Sequence, residues 1–85
     1  MRVISQHGNV DLPYEQIVVC HAMESVIALF NGEKYVLGEY SSKEKAYKAM
    51  EMLRGAWINE AIEFTHGIYH RNIVFQFPQD NEIEV

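Results

Sequence analysis

A single cysteine, Cys20, stands in 85 residues, so no intrachain disulfide can form, and the composition suits a reducing compartment. Proline is nearly missing, with only Pro13 and Pro78, and the five glycines are scattered singly. A proline-rich linker and a glycine loop that cradles phosphate are both excluded. No stretch approaches the ~18 consecutive apolar residues that a membrane-spanning helix needs. Basic residues are scarce: seven Lys and Arg against twelve Asp and Glu leave a formal charge of -5, which argues against general affinity for DNA, RNA or an anionic membrane. Met1-Arg2-Val3-Ile4-Ser5-Gln6 turns polar at once and runs into a strand pattern, unlike a signal peptide. The expected location is the cytoplasm.

What is present is a folded domain's composition, 48% apolar and 22% charged. Residues 1–85 read as one domain. A chain this short buries only about 60–65% of its unfolded surface, so association with further copies would help it.

The chain is organised around residues 35–64, a strand followed by a capped helix. Ser41 and Glu44 have the spacing of a capping box, which places the first helical turn at about Ser42. At 100° per residue, Ala46, Ala49, Met50, Leu53, Ala56, Trp57, Ala61 and Phe64 share an arc of roughly 140°, the width of a core-facing stripe. Tyr47, Ile58 and Ile62 form a second apolar stripe beside it, and Gly55 lies at the junction, costing about 1 kcal/mol relative to alanine. Either the helix bends or ends near Gly55, or its far half is covered on two sides. The second alternative requires another subunit or a partner over Tyr47, Ile58 and Ile62, and a homo-oligomer is the expectation.

The remainder reads as sheet. Residues 2–6 and 10–14 alternate in polarity around His7-Gly8-Asn9, a hairpin whose second strand Pro13 either confines to an edge or ends. Ile17-Val18-Val19-Cys20 is a β-branched run suited to a buried strand, with a weak turn over His21–Ser25. Asn31-Gly32 between Val26–Phe30 and Lys34–Tyr40 is the strongest hairpin signal, because both residues tolerate positive φ. The second of those strands would place Tyr35, Leu37 and Glu39 on one face and Val36, Gly38 and Tyr40 on the other. Asn72–Phe77 alternates as a final strand stopped by Pro78, and the acidic segment Gln79–Val85 reads either as a partly disordered tail or as a short edge pairing through Ile83 and Val85. The expected fold is α+β: an antiparallel sheet of about four to six strands with one long helix packed on one face.

Candidates for chemistry are few. His66 and His70 have an i, i+4 spacing that suits zinc, and Cys20-His21 could complete a site, yet Gly67 intervenes and no HExxH pattern is present. Cys20 ends a β-branched run, the setting of a buried, inert thiol rather than a nucleophile. Glu60 and Glu63 are close on the helix, but nothing defines a pocket around them. No enzyme activity, metal or cofactor is expected. The more suggestive set is Tyr69, His70 and Arg71 with Arg54 on the helix and Tyr40 at its start, since arginine forks grip phosphates and aromatic rings stack on bases.

The opening residues 1–15, the segment Leu37-Gly38-Glu39-Tyr40-Ser41-Ser42-Lys43-Glu44-Lys45-Ala46 and the closing Phe75-Gln76-Phe77-Pro78 resemble small proteins carried by phages and prophages of Gram-positive gut bacteria. The resemblance covers most of the chain and implies an origin, with no site residues attached. Accessory phage proteins of this kind include antagonists of host defence. Two mechanisms fit the residues: an oligomeric sponge for a nucleotide-derived signal, or an anti-CRISPR-like inhibitor that presents its acidic C-terminal face to a host defence protein. A structural or regulatory phage component is the third reading. Sequestration is the expectation adopted, because the doubled apolar face of the helix favours self-association and Arg54, Arg71 and Tyr69 offer anion and base contacts.

Overall fold

The computed structural model describes the backbone of residues 1–65 and 74–85 and the side chains of residues 1–58 and 74–85. Strands β1 (Arg2–Ile4) and β2 (Asp11–Pro13) form the expected N-terminal hairpin. Its loop is closed by Gly8 at φ +79° and by Ser5, which is buried and accepts the Val10 N–H on Oγ at 3.1 Å. Pro13 does lie on an edge strand, where its missing donor costs no ladder bond. A 3-10 turn at Tyr14–Gln16 then redirects the chain into β3 (Val18–Ala22), β4 (Ser25–Phe30) and β5 (Glu33–Glu39), an antiparallel meander. Asn31 and Gly32 turn β4 into β5 with φ of 51° and 80°, as a type I′ turn requires. The β3–β4 turn is tighter than the sequence suggested: Ala22 pairs with Ser25, leaving only Met23-Glu24 between them, with Met23 at φ 57°.

The expected single antiparallel sheet is not what forms. The described residues form two sheets of three strands, ordered β2-β1-β6 and β3-β4-β5, where β6 is Val74–Gln76 and pairs parallel to β1. The Tyr14–Gln16 turn breaks the ladder after β2, so β3 starts a new sheet. A parallel partner for β1 can come only from a distant crossover, and the helix supplies it. The expected buried strand at residues 17–20 is likewise an edge strand, with Val18 61% exposed.

Helix α1 (Lys43–Thr65) runs unbroken through Gly55 and packs against β3 and β4. Ala46, Ala49 and Leu53 are buried on that face, with Met50, Ala56 and Trp57 partly buried, as the periodicity predicts. Ala61, Phe64 and Ile62 have no described side chains. The cap is shifted by one residue from the expected box: Ser42 Oγ accepts the Lys45 N–H at 3.2 Å, whereas the Ser41 N–H donates to Asp80 Oδ1 at 2.8 Å. Ser42, not Ser41, therefore satisfies an orphan donor of the first turn.

Alternation along β5 also fails, at a bulge. Val26 pairs with Gly38 but Ile27 with Val36, so Leu37 is an extra residue. The phase shift turns both Leu37 and Tyr40 into the core instead of onto opposite faces. Gly38 makes room: a Cβ there would lie 2.8 Å from Tyr40 Oη.

The two sheets are stitched together by Gln6, a buried residue. Its N–H donates to Leu37 O at 2.7 Å, its Oε1 accepts the Glu39 N–H at 3.1 Å, and its Nε2 donates to Glu39 O and Pro78 O, each at 3.2 Å. Gln79 Nε2 donates back to Gln6 O at 2.7 Å. The C-terminal segment, for which partial disorder or a short edge pairing was expected, packs onto this joint. It makes a 3-10 turn at Asp80–Glu82 and buries Ile83, whose apolar side chain joins the core that Val3, Leu12, Val26, Leu37 and Phe77 also form.

Candidate ligand-binding groove

On the helix, Met50, Leu53, Arg54 and Trp57 have the i, i+3, i+4, i+7 spacing of one stripe. Opposite them the 3-10 turn and β3 present Tyr14, Glu15, Ile17 and Val19, and the two walls enclose a groove of about 610 Å³. The turn brings Tyr14 against the helix: its ring centroid is 5.1 Å from that of Trp57, tilted by 42°. This pair makes an aromatic wall over an apolar floor of Ile17, Val19 and Leu53. Glu15 Oε2 accepts from the Met1 amino group at 2.9 Å. Arg54 is exposed at the rim, and the ion pairs among the described residues join Met1 to Glu15, Arg2 to Asp11 and Lys45 to Asp80, leaving its guanidinium without one.

The groove's described lining holds one carboxylate and one guanidinium but no thiol, imidazole or serine hydroxyl. It is equipped to hold a flat ring against Tyr14 and Trp57 and an anionic group at Arg54. Arg54 also borders a shallower cleft of about 260 Å³ with Tyr47, Glu51, Gly55 and Ile58. Tyr47 and Ile58 are half exposed there, and Tyr47 meets His21 edge-on at 6.3 Å.

The other sequence candidates are placed differently. Tyr40 is buried, and its hydroxyl donates to Pro78 O at 2.9 Å. Burial, and then the charges of Asp80 and Glu82, push its pKa up to about 12. It lies just before the helix start, whereas Arg54 is eleven residues into the helix, about 16 Å along its axis. Tyr69, His70 and Arg71, and with them His66 of the weak metal pair, lie outside the described residues, as do the side chains of Glu60, Ile62 and Glu63. Cys20, expected to be buried, is partly exposed, because β3 is an edge strand. Among the described residues no cluster of His, Cys, Asp or Glu could hold a metal ion, and no helix is long and apolar enough to cross a membrane.

Sequence reasoning missed Tyr14 and assigned Trp57 wholly to the core. A signal existed for Trp57, which sits at the far end of the helical stripe, where a large ring can border a groove as readily as a core. Tyr14 carried none, because its position depends on the 3-10 turn that follows Pro13. Comparison with protein-family models, curated proteins and solved structures finds no match to this chain.

Proposed function

We propose that this protein is a non-enzymatic binding protein that sequesters a nucleotide-derived small molecule in the groove between α1 and β3. The observation that carries the reading is the Tyr14–Trp57 aromatic wall beside Arg54, whose charge has no ion-pair partner among the described residues. A base stacks on the rings and a phosphate takes the guanidinium fork, the pairing that sequence-tolerant nucleotide sites use. In the phage setting that the sequence resemblance implies, such binding would withdraw a defence signal by mass action without altering it.

The inhibitor reading draws less support. Of the acidic C-terminal residues that a nucleic-acid mimic would present, Asp80 is engaged by the Ser41 N–H and by Lys45 Nζ at 3.4 Å.

Trp57 is the only tryptophan and reports on the groove directly. Native mass spectrometry of protein freshly purified from a bacterial host should show retained mass of a nucleotide-like ligand. Titration with a panel of mono-, di- and cyclic nucleotides should quench Trp57 emission, and Arg54→Ala should weaken binding by about tenfold or more, as expected when a fork to phosphate is lost. A protein that carries no ligand and whose Trp57 emission is unmoved by the panel overturns the reading, as does full affinity in Arg54→Ala.

A further inference from the structure

The face of the β3-β4-β5 sheet opposite the helix is laid out by its register as three rows. Val18, Leu29 and Lys34 form one row, Cys20, Ile27 and Val36 the next, and Ala22, Ser25 and Glu39 the third. The inward positions Val19, Val26, Ala28, Tyr35 and Leu37 belong to the core and its border. Two of the three rows are mainly apolar: Val18, Val36 and Leu29 are exposed by 61%, 48% and 42%, and Cys20 and Ile27 of the middle row are partly exposed. Charge appears only at two corners, Lys34 and Glu39, both on β5 and on opposite sides of Val36.

We infer that this face binds a second copy of the chain, forming an isologous dimer in which the two sheets pack face to face with β5 antiparallel to its counterpart. The two-fold axis lies between the sheets, across the strands, over the row of Cys20, Ile27 and Val36. That operation lays the middle row on itself and each outer row on the opposite one. Val18 then faces Ala22 of the other copy and Leu29 faces Ser25, so large meets small in the outer rows, while Ile27 and Val36 of the middle row meet their own copies. Lys34 faces Glu39 at both ends, which matches charge to charge twice. An axis along the strands would instead set Lys34 over Val18 and leave its ammonium against an apolar surface, which is costly. The grid is thus complementary to itself in one orientation, as a closed two-fold contact requires.

Three strands at about 4.8 Å spacing make a small face, so the contact belongs at the low end of interface sizes and the dimer should be reversible, with a dissociation constant on the order of micromolar. The helix and its groove lie on the other side of the sheet and stay open in the dimer. This surface is separate from the Tyr47 and Ile58 stripe.

Light scattering coupled to size exclusion, over a dilution series of the full chain, should give twice the 9.9 kDa chain mass at the concentrated end. Val36→Glu should return the mass to 9.9 kDa with an unchanged circular-dichroism spectrum, whereas Ile58→Glu should leave the dimer intact. Lys34→Glu or Glu39→Lys alone should weaken dimerisation by about tenfold through like-charge repulsion, and the double swap should restore it. A short bismaleimide should join the two Cys20 side chains across the axis, and the product should vanish in Val36→Glu. A wild-type chain that stays monomeric throughout overturns the inference. So does a dimer that survives Val36→Glu or is lost in Ile58→Glu. If dimerisation occurs but the double swap fails to rescue it, the antiparallel orientation is wrong.

Discussion

Two glycines illustrate how differently the same residue type is used. Gly38 faces the Tyr40 ring, with Oη 2.8 Å and Cε2 2.9 Å from where a Cβ would sit, and the ring cannot retreat because it is buried and its hydroxyl is held by Pro78. Gly55 has nothing within 4 Å of that point. Gly38→Ala is expected to destabilise the fold by about 1–3 kcal/mol, the ordinary cost of overpacking. Gly55→Ala is expected to stabilise it by about 0.5–1 kcal/mol, because the helix already runs through that position and alanine lowers the entropy lost there. Urea denaturation midpoints of the two variants should move in opposite directions; a neutral Gly38→Ala would mean that Tyr40 is not confined. Gly55 in the sequence suggested a bend because composition reports only propensity, and packing of Ala49 and Leu53 on the sheet outweighs one unfavourable residue.

At the scale of elements, the start of α1 depends on a residue far along the chain. Ser42 caps the first turn, an interaction typically worth about 1 kcal/mol. The preceding N–H, that of Ser41, finds its acceptor in Asp80. That backbone hydrogen bond is the main reason the Asp80 pKa is lowered, with Lys45 adding to the effect and desolvation opposing it. A depressed folded-state pKa means that the unfolded chain binds the proton more readily, so the contribution is complete above the ordinary carboxylate value. It is lost as pH falls through the lower folded value. In thermal melts from neutral pH into the acid range, Asp80→Asn should therefore be less stable than the parent at neutral pH, and the gap should close as acid protonates the parent. A gap of constant size at every pH would show that the carboxylate charge plays no part. Asp11, lowered mainly by its side-chain hydrogen bond to Arg2, titrates in the same direction in both proteins and cancels in the comparison.

For the whole molecule, the joint around Gln6 makes the C-terminal segment part of the fold. Seven residues after Pro78 supply the Gln79 bond to Gln6, the Asp80 bonds to Ser41 and Lys45, and the buried Ile83. Burial of one such side chain is worth about 1.5–3 kcal/mol. A domain of this length has only about 4–13 kcal/mol in total. A chain ending at Pro78 should lose more than about 2 kcal/mol of stability by urea titration, an expectation that fails if the midpoint stays within error of the full chain. Because Gln6 and Tyr40 tie both sheets to the same Pro78 carbonyl, unfolding followed by far-ultraviolet circular dichroism and by Trp57 emission should coincide.

By itself the sequence determined the features whose cause is local. Asn31-Gly32 and His7-Gly8-Asn9 make turns through the φ they permit, Pro13 confines its strand to an edge, and the 3.6-residue period of Ala46, Ala49 and Leu53 selects the buried face of the helix. The alternation of Val74, Phe75, Gln76 and Phe77 around the last strand was legible for the same reason. Only the tertiary structure decided how those pieces meet: the split into two sheets, the parallel pairing of β1 with β6, the bulge that turns Tyr40 inward, and the convergence of Tyr14, Arg54 and Trp57 on one groove. Each of these depends on contacts between residues far apart in the chain. Such contacts are selected by which packing satisfies the most buried groups together, and no local pattern of residues encodes that choice.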